Sequence, residues 1–275
     1  MTRRDEGITD LHSHLVPGVD DGSQNLEESL EGVGRLWEAG VRRMVTTPHF
    51  MGSLCHDLAA KAARMEEMDR GWETLKEGVD GAFPELELRR GFEVMVDIPD
   101  PDLSDPKLRL GGTSYVLVEW PHLKVPPGTL GVLTRLQESG IRPIIAHPER
   151  YVGFDSELAL AGRWRELGIR LQLNYGSLLG RYGEAPRSRA FLLLERGWVD
   201  LLSTDFHGRP HLPLTLAQAR EVFTQLEAED HFHILARENP ARILSDEEPV
   251  PVPPILRRRD WRDKLREIFR GRVRG

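Results

Sequence analysis

Four times along the chain a charged amphipathic stretch meets a glycine and then a β-type run. The four junctions are Glu38-Ala39-Gly40-Val41, Glu138-Ser139-Gly140-Ile141, Glu166-Leu167-Gly168-Ile169 and Glu195-Arg196-Gly197-Trp198. Glycine is favoured just past a helix because it takes the left-handed conformation without a Cβ penalty. Each unit therefore reads as helix, stop, strand. Alternation of this kind calls for a mostly parallel sheet with crossover helices. The pattern predicts strands over 8–14, 41–48, 86–96, 114–120, 142–148, 169–175 and 198–205, and helices over 26–39, 57–77, 129–139, 156–167, 187–196 and 215–228. Asn25, with Glu28 three residues later, gives the first helix a start resembling a capping box. Runs such as Pro143-Ile144-Ile145-Ala146 and Tyr115-Val116-Leu117-Val118 suit strands covered on both faces. Seven strands in one continuous alternation favour a closed or nearly closed α/β barrel over two domains, and 275 residues is an ordinary length for one barrel.

The end of the chain departs from this pattern. Pro249, Pro251, Pro253 and Pro254 interrupt it, and the stretch from Arg257 to Arg274 is arginine-rich, with Trp261, Leu265, Ile268 and Phe269 at helical spacing. The expected division is a barrel over 1–248 followed by a proline-rich break and a basic amphipathic tail over 249–275. A solvated appendage or a helix packed on the barrel is the plain reading of that tail; docking to an acidic partner or a membrane surface is the sharper one. Composition closes off other classes. With 39% hydrophobic and 29% charged residues the chain can bury a core, which excludes global disorder. A net charge of −7 argues against a dedicated nucleic-acid binder. No apolar stretch approaches the ~18 residues that cross a bilayer. Arg3, Arg4, Asp5 and Glu6 lead into the first strand with no signal-peptide core, so a cytoplasmic protein is expected.

Acidic and imidazole side chains fall where those strands end. His12 and His14 close the first strand, His49 the second, Glu119 the fourth, His147 the fifth, and Asp205 with His207 the seventh, while Glu93 lies in the third. In (β/α) barrels the carboxyl ends of the strands form the working face. Eight potential metal ligands thus reach one rim. Asp20 and Asp21 follow in a Pro17-Gly18-Val19-Asp20-Asp21-Gly22 loop able to bend back over it. A lone strand-end histidine is more often a hydrogen-bonded structural residue. Repeated charged residues on apolar strand ends, however, call for a shared partner. His12-x-His14 on an extended segment turns both imidazoles to one side. Imidazole mixed with carboxylate, without thiolate, suits Zn, Mn or Fe, and several ions when a carboxylate bridges. His56, His122, His211, His231 and His233 read as loop or helix-surface residues. The single cysteine, Cys55, rules out an internal disulfide or a cysteine zinc cluster. A Cys-x5-Arg phosphatase loop is absent too, because Lys61 stands where the arginine would be. The chain carries neither a Gly-x4-Gly-Lys-Ser/Thr phosphate loop nor a Gly-x-Ser-x-Gly elbow.

Taken together, Asp10-Leu11-His12-Ser13-His14, Pro17-Gly18-Val19-Asp20-Asp21-Gly22, Thr47-Pro48-His49, Gly91-Phe92-Glu93, Ala146-His147-Pro148-Glu149-Arg150-Tyr151 and Asp205-Phe206-His207 resemble the PHP superfamily (polymerase and histidinol phosphatase). Within it they are most similar to the bacterial capsular-polysaccharide-type, manganese-dependent protein tyrosine phosphatases, over about residues 8 to 245. The resemblance implies a distorted (β/α)7 barrel of the PHP type and three divalent metal ions, Mn2+ foremost, with Fe or Zn as alternatives. Carried over motif by motif, His12, His14, Glu93 and Asp205 would hold one ion. Glu93 would bridge to a second, held also by His49 and Glu119, and Asp21, His147 and His207 would hold the third. Arg150 keeps its family position and is implied to hold phosphoryl oxygens. The family's second arginine follows the last Asp-x-His after an Asn and a short spacer. Here His207 is followed at once by Gly208-Arg209-Pro210, so Arg209 either replaces it from another angle or is a surface arginine.

The implied activity is hydrolysis of phosphotyrosine on a protein, with the tail of a bacterial tyrosine kinase as partner and capsule or exopolysaccharide synthesis as the process. A bound ion lowers the pKa of coordinated water from about 16 to about 7. A tyrosine phenolate, with a pKa of about 10, leaves with less protonation than an alkoxide needs. Two other readings stay open. One is a small-molecule phosphoesterase such as a histidinol-phosphate phosphatase; the other is a non-catalytic partner that docks to a kinase.

Overall fold

The structure, a computed structural model, describes residues 7–153 and 158–255. The arginine-rich segment expected over Arg257 to Arg274 lies outside the described residues. Short strands run through the chain as β1 (Ile8–Asp10), β2 (Val41–Thr46), β3 (His49–Met51), β4 (Glu87–Arg90), β5 (Glu93–Met95), β6 (Tyr115–Glu119), β7 (Arg142–Ala146), β8 (Arg170–Asn174) and β9 (Leu201–Ser203). All pairings are parallel, in two ladders ordered β1-β2-β4 and β3-β5-β6-β7-β8-β9.

Two of the expected strands differ in extent. The segment 41–48 is β2 as far as Thr46, and a further strand, β3, follows it past Thr47-Pro48, while 86–96 becomes β4 and β5, separated at Gly91-Phe92. Pro48 has no N–H to give to a ladder. Gly91 sits where a Cβ would lie 3.1 Å from both Leu110 Cα and Val45 Cγ1. The register survives the break, with Thr46 opposite Arg90 before it and His49 opposite Glu93 after it. The other end of the wall meets β1 through a single isolated parallel bridge, Ser13 to Phe206. There Asp205 N donates to His12 O at 2.9 Å and His14 N donates to Phe206 O at 2.8 Å.

The crossover helices are α1 (Leu26–Glu38), α2 (Leu58–Ala82), α3 (Thr129–Glu138), α4 (Ala159–Glu166), α6 (Glu184–Glu195) and α7 (Leu216–Gln225), with the short helices α5 (Tyr175–Leu178), α8 (Glu229–His233) and α9 (Asn239–Leu244) between and after them. The three short helices carry too few turns to show a 3.6-residue period, and the sequence pattern did not reveal them. Asn25 caps α1 by accepting from Glu28 N at 3.0 Å. At the four helix–glycine–strand junctions Gly40, Gly140, Gly168 and Gly197 have φ between 65° and 95°, the left-handed stop the sequence calls for. No helix of the described residues is long and apolar enough to cross a membrane.

Alternation along each strand sorts the side chains. Val116, Val118, Ile145, Leu171, Leu173 and Leu202 point outward into the large core beneath the helices. Tyr115, Leu117, Ile144, Ala146, Leu201 and Val45 point inward, where Leu110, Ile243 and Leu244 join them as a second, smaller core. The interior is thus packed rather than hollow. The same inward row continues toward the strand ends with polar residues: Glu119 after Leu117 on β6, Gln172 and Asn174 on β8. Past α9 the proline-rich segment lies against the barrel. Asn239 pairs with the backbone of Val250 in both directions, at 2.7 and 3.0 Å, and Ile255 N donates to Leu194 O at 3.1 Å.

Candidate metal centre

All nine residues expected as ligands come together at the carboxyl ends of the strands. Their donor atoms form four overlapping groups: His14, Asp21, His49 and His207; His12, Glu93 and His147; His12, His14 and Asp205; His49, Glu93 and Glu119. Within each group the atoms lie no more than 4.8 Å apart. Glu93 stands at the middle. Its Oε2 is 3.2 Å from His12 Nε2, 3.3 Å from His14 Nε2 and 3.2 Å from His49 Nδ1, and its Oε1 is 2.9 Å from His147 Nε2. Asp205 Oδ1 faces His12 and His14 Nε2 at 3.4 and 3.5 Å.

The distances regroup one part of the set that the resemblance implies. His147 sits against Glu93, not with Asp21 and His207. His49 joins those two instead, its Nε2 3.5 Å from Asp21 Oδ1, while His207 Nε2 is 3.4 Å from Asp21 Oδ2. His49 also keeps its implied place beside Glu119 and Glu93, its register partner across β3 and β5; His147, past the end of β7 in a left-handed turn with φ 34°, is the residue whose neighbours differ. Asp205 is also left-handed, at φ 49°. Non-glycine residues in this region carry strain that clusters at functional sites.

The donor set fits divalent cations, and the hydrogen bonds behind the rings show why. His14 Nδ1 lies 2.8 Å from Asp20 Oδ2, which also accepts from the backbone N–H of His49 at 3.1 Å. His12 Nδ1 lies 2.9 Å from the Gln172 amide oxygen. With both Nδ1 atoms donating, the two Nε2 atoms present lone pairs to each other across 3.2 Å. Two ring nitrogens and two carboxylate oxygens converging in a buried space call for positive charge between them, from a cation or from protons. His49 Nδ1 and Glu93 Oε2 are likewise buried without a hydrogen bond, although they face each other at 3.2 Å.

Without a cation, protons take over the charge balance. Burial disfavours the charged His12 imidazole, yet Glu93 and Asp205 more than offset it and push it up to about 9. His14 is also raised well above the ordinary imidazole value, with Asp20, Asp205 and Glu93 overcoming burial. Burial opposes ionisation of Glu93 and Asp205, but the facing imidazoles, His12 foremost, hold both well below the usual carboxylate range.

The two candidate phosphate-binding arginines differ in what they hold. Arg150 Nη1 lies 2.6 Å from Asp205 Oδ2, with its guanidinium 4.3 Å above the Tyr182 ring. Arg209 is turned to the backbone of the Asp21 loop: Nε donates to Gly22 O at 2.8 Å and Nη2 to Asp21 O at 3.0 Å. Its own carbonyl accepts from Arg35 Nη1 at 3.4 Å. Cys55 is buried. Of the remaining histidines, His56 pairs with Asp100 O at 3.0 Å, away from the cluster.

Three residues that support the cluster escaped the sequence reading in whole or in part. Asp20, which the sequence places only in a loop, orients His14. Gln172 and Asn174 are neutral amides on β8. Their signal in the sequence is a polar pair at two-residue spacing that alternates with Leu171 and Leu173, which places both on the inward face.

A parallel α/β barrel whose strand ends gather five imidazoles and four carboxylates around one space defines a metal-dependent barrel hydrolase. The comparisons narrow that class. The chain belongs to the family described as capsular polysaccharide synthesis, CpsB/CapC, whose profile matches residues 8–245. It is 29% identical to the tyrosine-protein phosphatase YwqE of Bacillus subtilis over 202 residues, covering 73% of this chain and 77% of that protein. It is 26% identical to the tyrosine-protein phosphatase CpsB of Streptococcus pneumoniae over 248 residues, covering 87% of this chain and 99% of that protein. A chain from the crystal structures of YwqE and CpsB, described as unique metal-dependent tyrosine phosphatases, superposes with a TM-score of 0.72 at 25% identity, over 92% of this chain and 100% of that one. An amidohydrolase from Mycoplasma synoviae shares the fold at a TM-score of 0.57 and 12% identity, over 98% of this chain and 96% of that one.

Proposed function

We propose that this protein hydrolyses phosphotyrosine on a protein substrate, with divalent cations, Mn2+ foremost and three in number, held by His12, His14, Asp21, His49, Glu93, Glu119, His147, Asp205 and His207. The observation that carries it is the convergence of the His12 and His14 Nε2 atoms on the oxygens of Glu93 and Asp205, with Arg150 alongside. When bound, such ions supply Lewis acidity toward phosphoryl oxygens and acidify coordinated water. The protein contributes orientation and charge. Asp20 and Gln172 fix two imidazole rings from behind, and the buried carboxylates supply the negative charge that retains cations. The cluster grades from fully buried His12 and Glu93 to a 66% exposed Asp21 side chain, so a phosphoryl group reaches it from the Asp21 side. Arg150 places one of its five N–H donors on Asp205, and the planar fork matches phosphoryl oxygens. A phenolate leaving group has a pKa of about 10 and demands little protonation from the site.

By this reading the substrate is the phosphorylated tail of a bacterial tyrosine kinase, and the setting is the cytoplasmic control of capsule or exopolysaccharide synthesis. The test is phosphate release by manganese-loaded protein from phosphotyrosine peptides, phosphoserine peptides and histidinol phosphate in parallel. Preference for phosphotyrosine, abolished by a chelator, is the expected result. Preference for histidinol phosphate transfers the site to small molecules, and release from none of them removes the enzymatic reading.

A further inference from the structure

β8 supplies none of the nine clustered residues, yet its two inward-facing side chains join two of them. Gln172 and Asn174 are fully buried. They form a chain of amides: His12 Nδ1 to Gln172 Oε1 at 2.9 Å, Gln172 Nε2 to Asn174 Oδ1 at 2.8 Å, and Asn174 Nδ2 to Asp205 Oδ2 at 2.7 Å. An amide side chain can be turned either way, so the direction of such a chain must be set by a group that has no choice. That group is the backbone N–H of His147, 3.4 Å from Gln172 Oε1. It can only donate, and it therefore requires oxygen at that end of Gln172. The oxygen in turn requires a proton on His12 Nδ1, which leaves Nε2 bare toward the cluster. The Gln172 nitrogen donates to the Asn174 oxygen, so the Asn174 nitrogen is turned to Asp205.

At Asp205 the carboxylate is divided. Oδ2 accepts from Asn174 and from Arg150, while Oδ1 faces His12 and His14. Asn174 is held in turn, because its backbone N–H donates to Glu149 Oε1 at 3.1 Å, within the turn that carries His147 and Arg150.

We propose that Gln172 and Asn174 are positioning residues whose amide relay, directed by the His147 backbone N–H, fixes the His12 tautomer and aims Asp205 Oδ1 at a cation. The relay rests on the cluster being a metal centre and not on which phosphoester it cleaves. Partners behind metal-bound histidines commonly contribute 10–100-fold to metal affinity.

The experiment measures Mn2+ and Zn2+ affinity of the full chain by competition with a chromophoric chelator. Circular dichroism and thermal melts of the metal-free proteins establish that each variant is folded. Gln172→Leu, which removes acceptor and donor together, is expected to weaken binding by roughly 10–100-fold. Gln172→Glu keeps the acceptor for His12 and His147 but loses the donation to Asn174, and is expected to recover only part of that loss. Wild-type affinity in folded Gln172→Leu, or in folded Gln172→Glu, overturns the relay. Should the leucine variant not fold, zinc-loaded wild-type protein decides. Multiple-bond 1H–15N correlations of the rings are expected to place the His12 proton on Nδ1, and a proton on Nε2 overturns the proposal. A wild-type protein that takes up neither metal removes the centre and the relay together. Relay effects on affinity without phosphotyrosine hydrolysis support the relay and remove the phosphatase reading alone.

Discussion

Two turns at the rim make an instructive pair. The turn after β7 and the turn after β9 each begin at a left-handed, non-glycine residue of the cluster, His147 at φ 34° and Asp205 at φ 49°, and each ends by delivering an arginine. Arg150 meets side chains, the Asp205 carboxylate and the Tyr182 ring. Arg209 meets backbone, the carbonyls of Asp21 and Gly22. A phosphoryl group can compete for a guanidinium that rests on a carboxylate. Carbonyls of a loop that depends on their hydrogen bonds release one less readily, because breaking them leaves the loop polar groups unpaired. Both arginines touch a segment that carries a clustered residue, and the nature of the acceptor separates them: on the proposed reading Arg150 is the one left for substrate, while Arg209 holds the loop that carries Asp21.

The largest effect tests the centre both turns serve. Glu93→Gln removes the carboxylate shared by His12, His14, His49 and His147, and metal content by elemental analysis should fall along with phosphotyrosine hydrolysis. Arg150→Ala should come next, slowing kcat by roughly 10²–10³-fold with metal content preserved; loss of metal in that variant contradicts its assigned role. Arg209→Ala should act through Asp21, weakening Mn2+ affinity by about 10-fold while kcat at saturating Mn2+ stays near wild type. A kcat loss equal to that of Arg150→Ala would make the two arginines a single clamp and erase the contrast.

Acidification probes the imidazoles shared by both turns. In the metal-free protein His12 holds its proton up to about 9, and a cation must displace it. Mn2+ affinity should therefore fall as pH drops below about 9, by up to about tenfold per pH unit for each proton displaced. Calorimetry in buffers of different ionisation enthalpy counts the protons released. The smallest effect is expected at Gly208, where φ is +63° and a Cβ would lie 1.9 Å from Ser23 Oγ. Gly208→Ala should cost about 1–2 kcal/mol in a thermal or denaturant melt, while an unchanged midpoint would show that this turn is not pressed against the Asp21 loop.

Most of the rim was legible because its residues break a strong rule. A charged side chain at the end of an apolar strand stands out, and His12, His49, Glu93, Glu119, His147 and Asp205 each do so. The helix stops were legible for a similar reason, since Gly40, Gly140, Gly168 and Gly197 each interrupt a helical period. The extra strand at His49 and the division of the third strand were hidden, because Thr47-Pro48 and Gly91-Phe92 interrupt the ladder without a change of register. The grouping of His49 and His147 was hidden as well, since it depends on a left-handed turn at His147 that nothing local in the sequence demands. Gln172 and Asn174 carry no charge and so lacked the signal that exposed the ligands. The direction of Arg209 depends on Arg35, distant in sequence, holding the carbonyls of Arg209 and Leu212.

The seam of the barrel and its chemistry occupy the same place. The one bridge that joins the first strand to the last, Ser13 to Phe206, has His12 and His14 on one side and Asp205 and His207 on the other. Cations gripped by those four residues would act as a rivet through the joint. Stripping them would leave the joint to its hydrogen bonds: the backbone pair of His14 and Asp205, Leu11 N to Ser203 Oγ, and the Thr204 N–H and hydroxyl on the Asp10 carboxylate. Metal starvation would then change more than catalysis. It would weaken the joint between the first strand and the last, and so tie the lifetime of the folded chain to the metal supply around it.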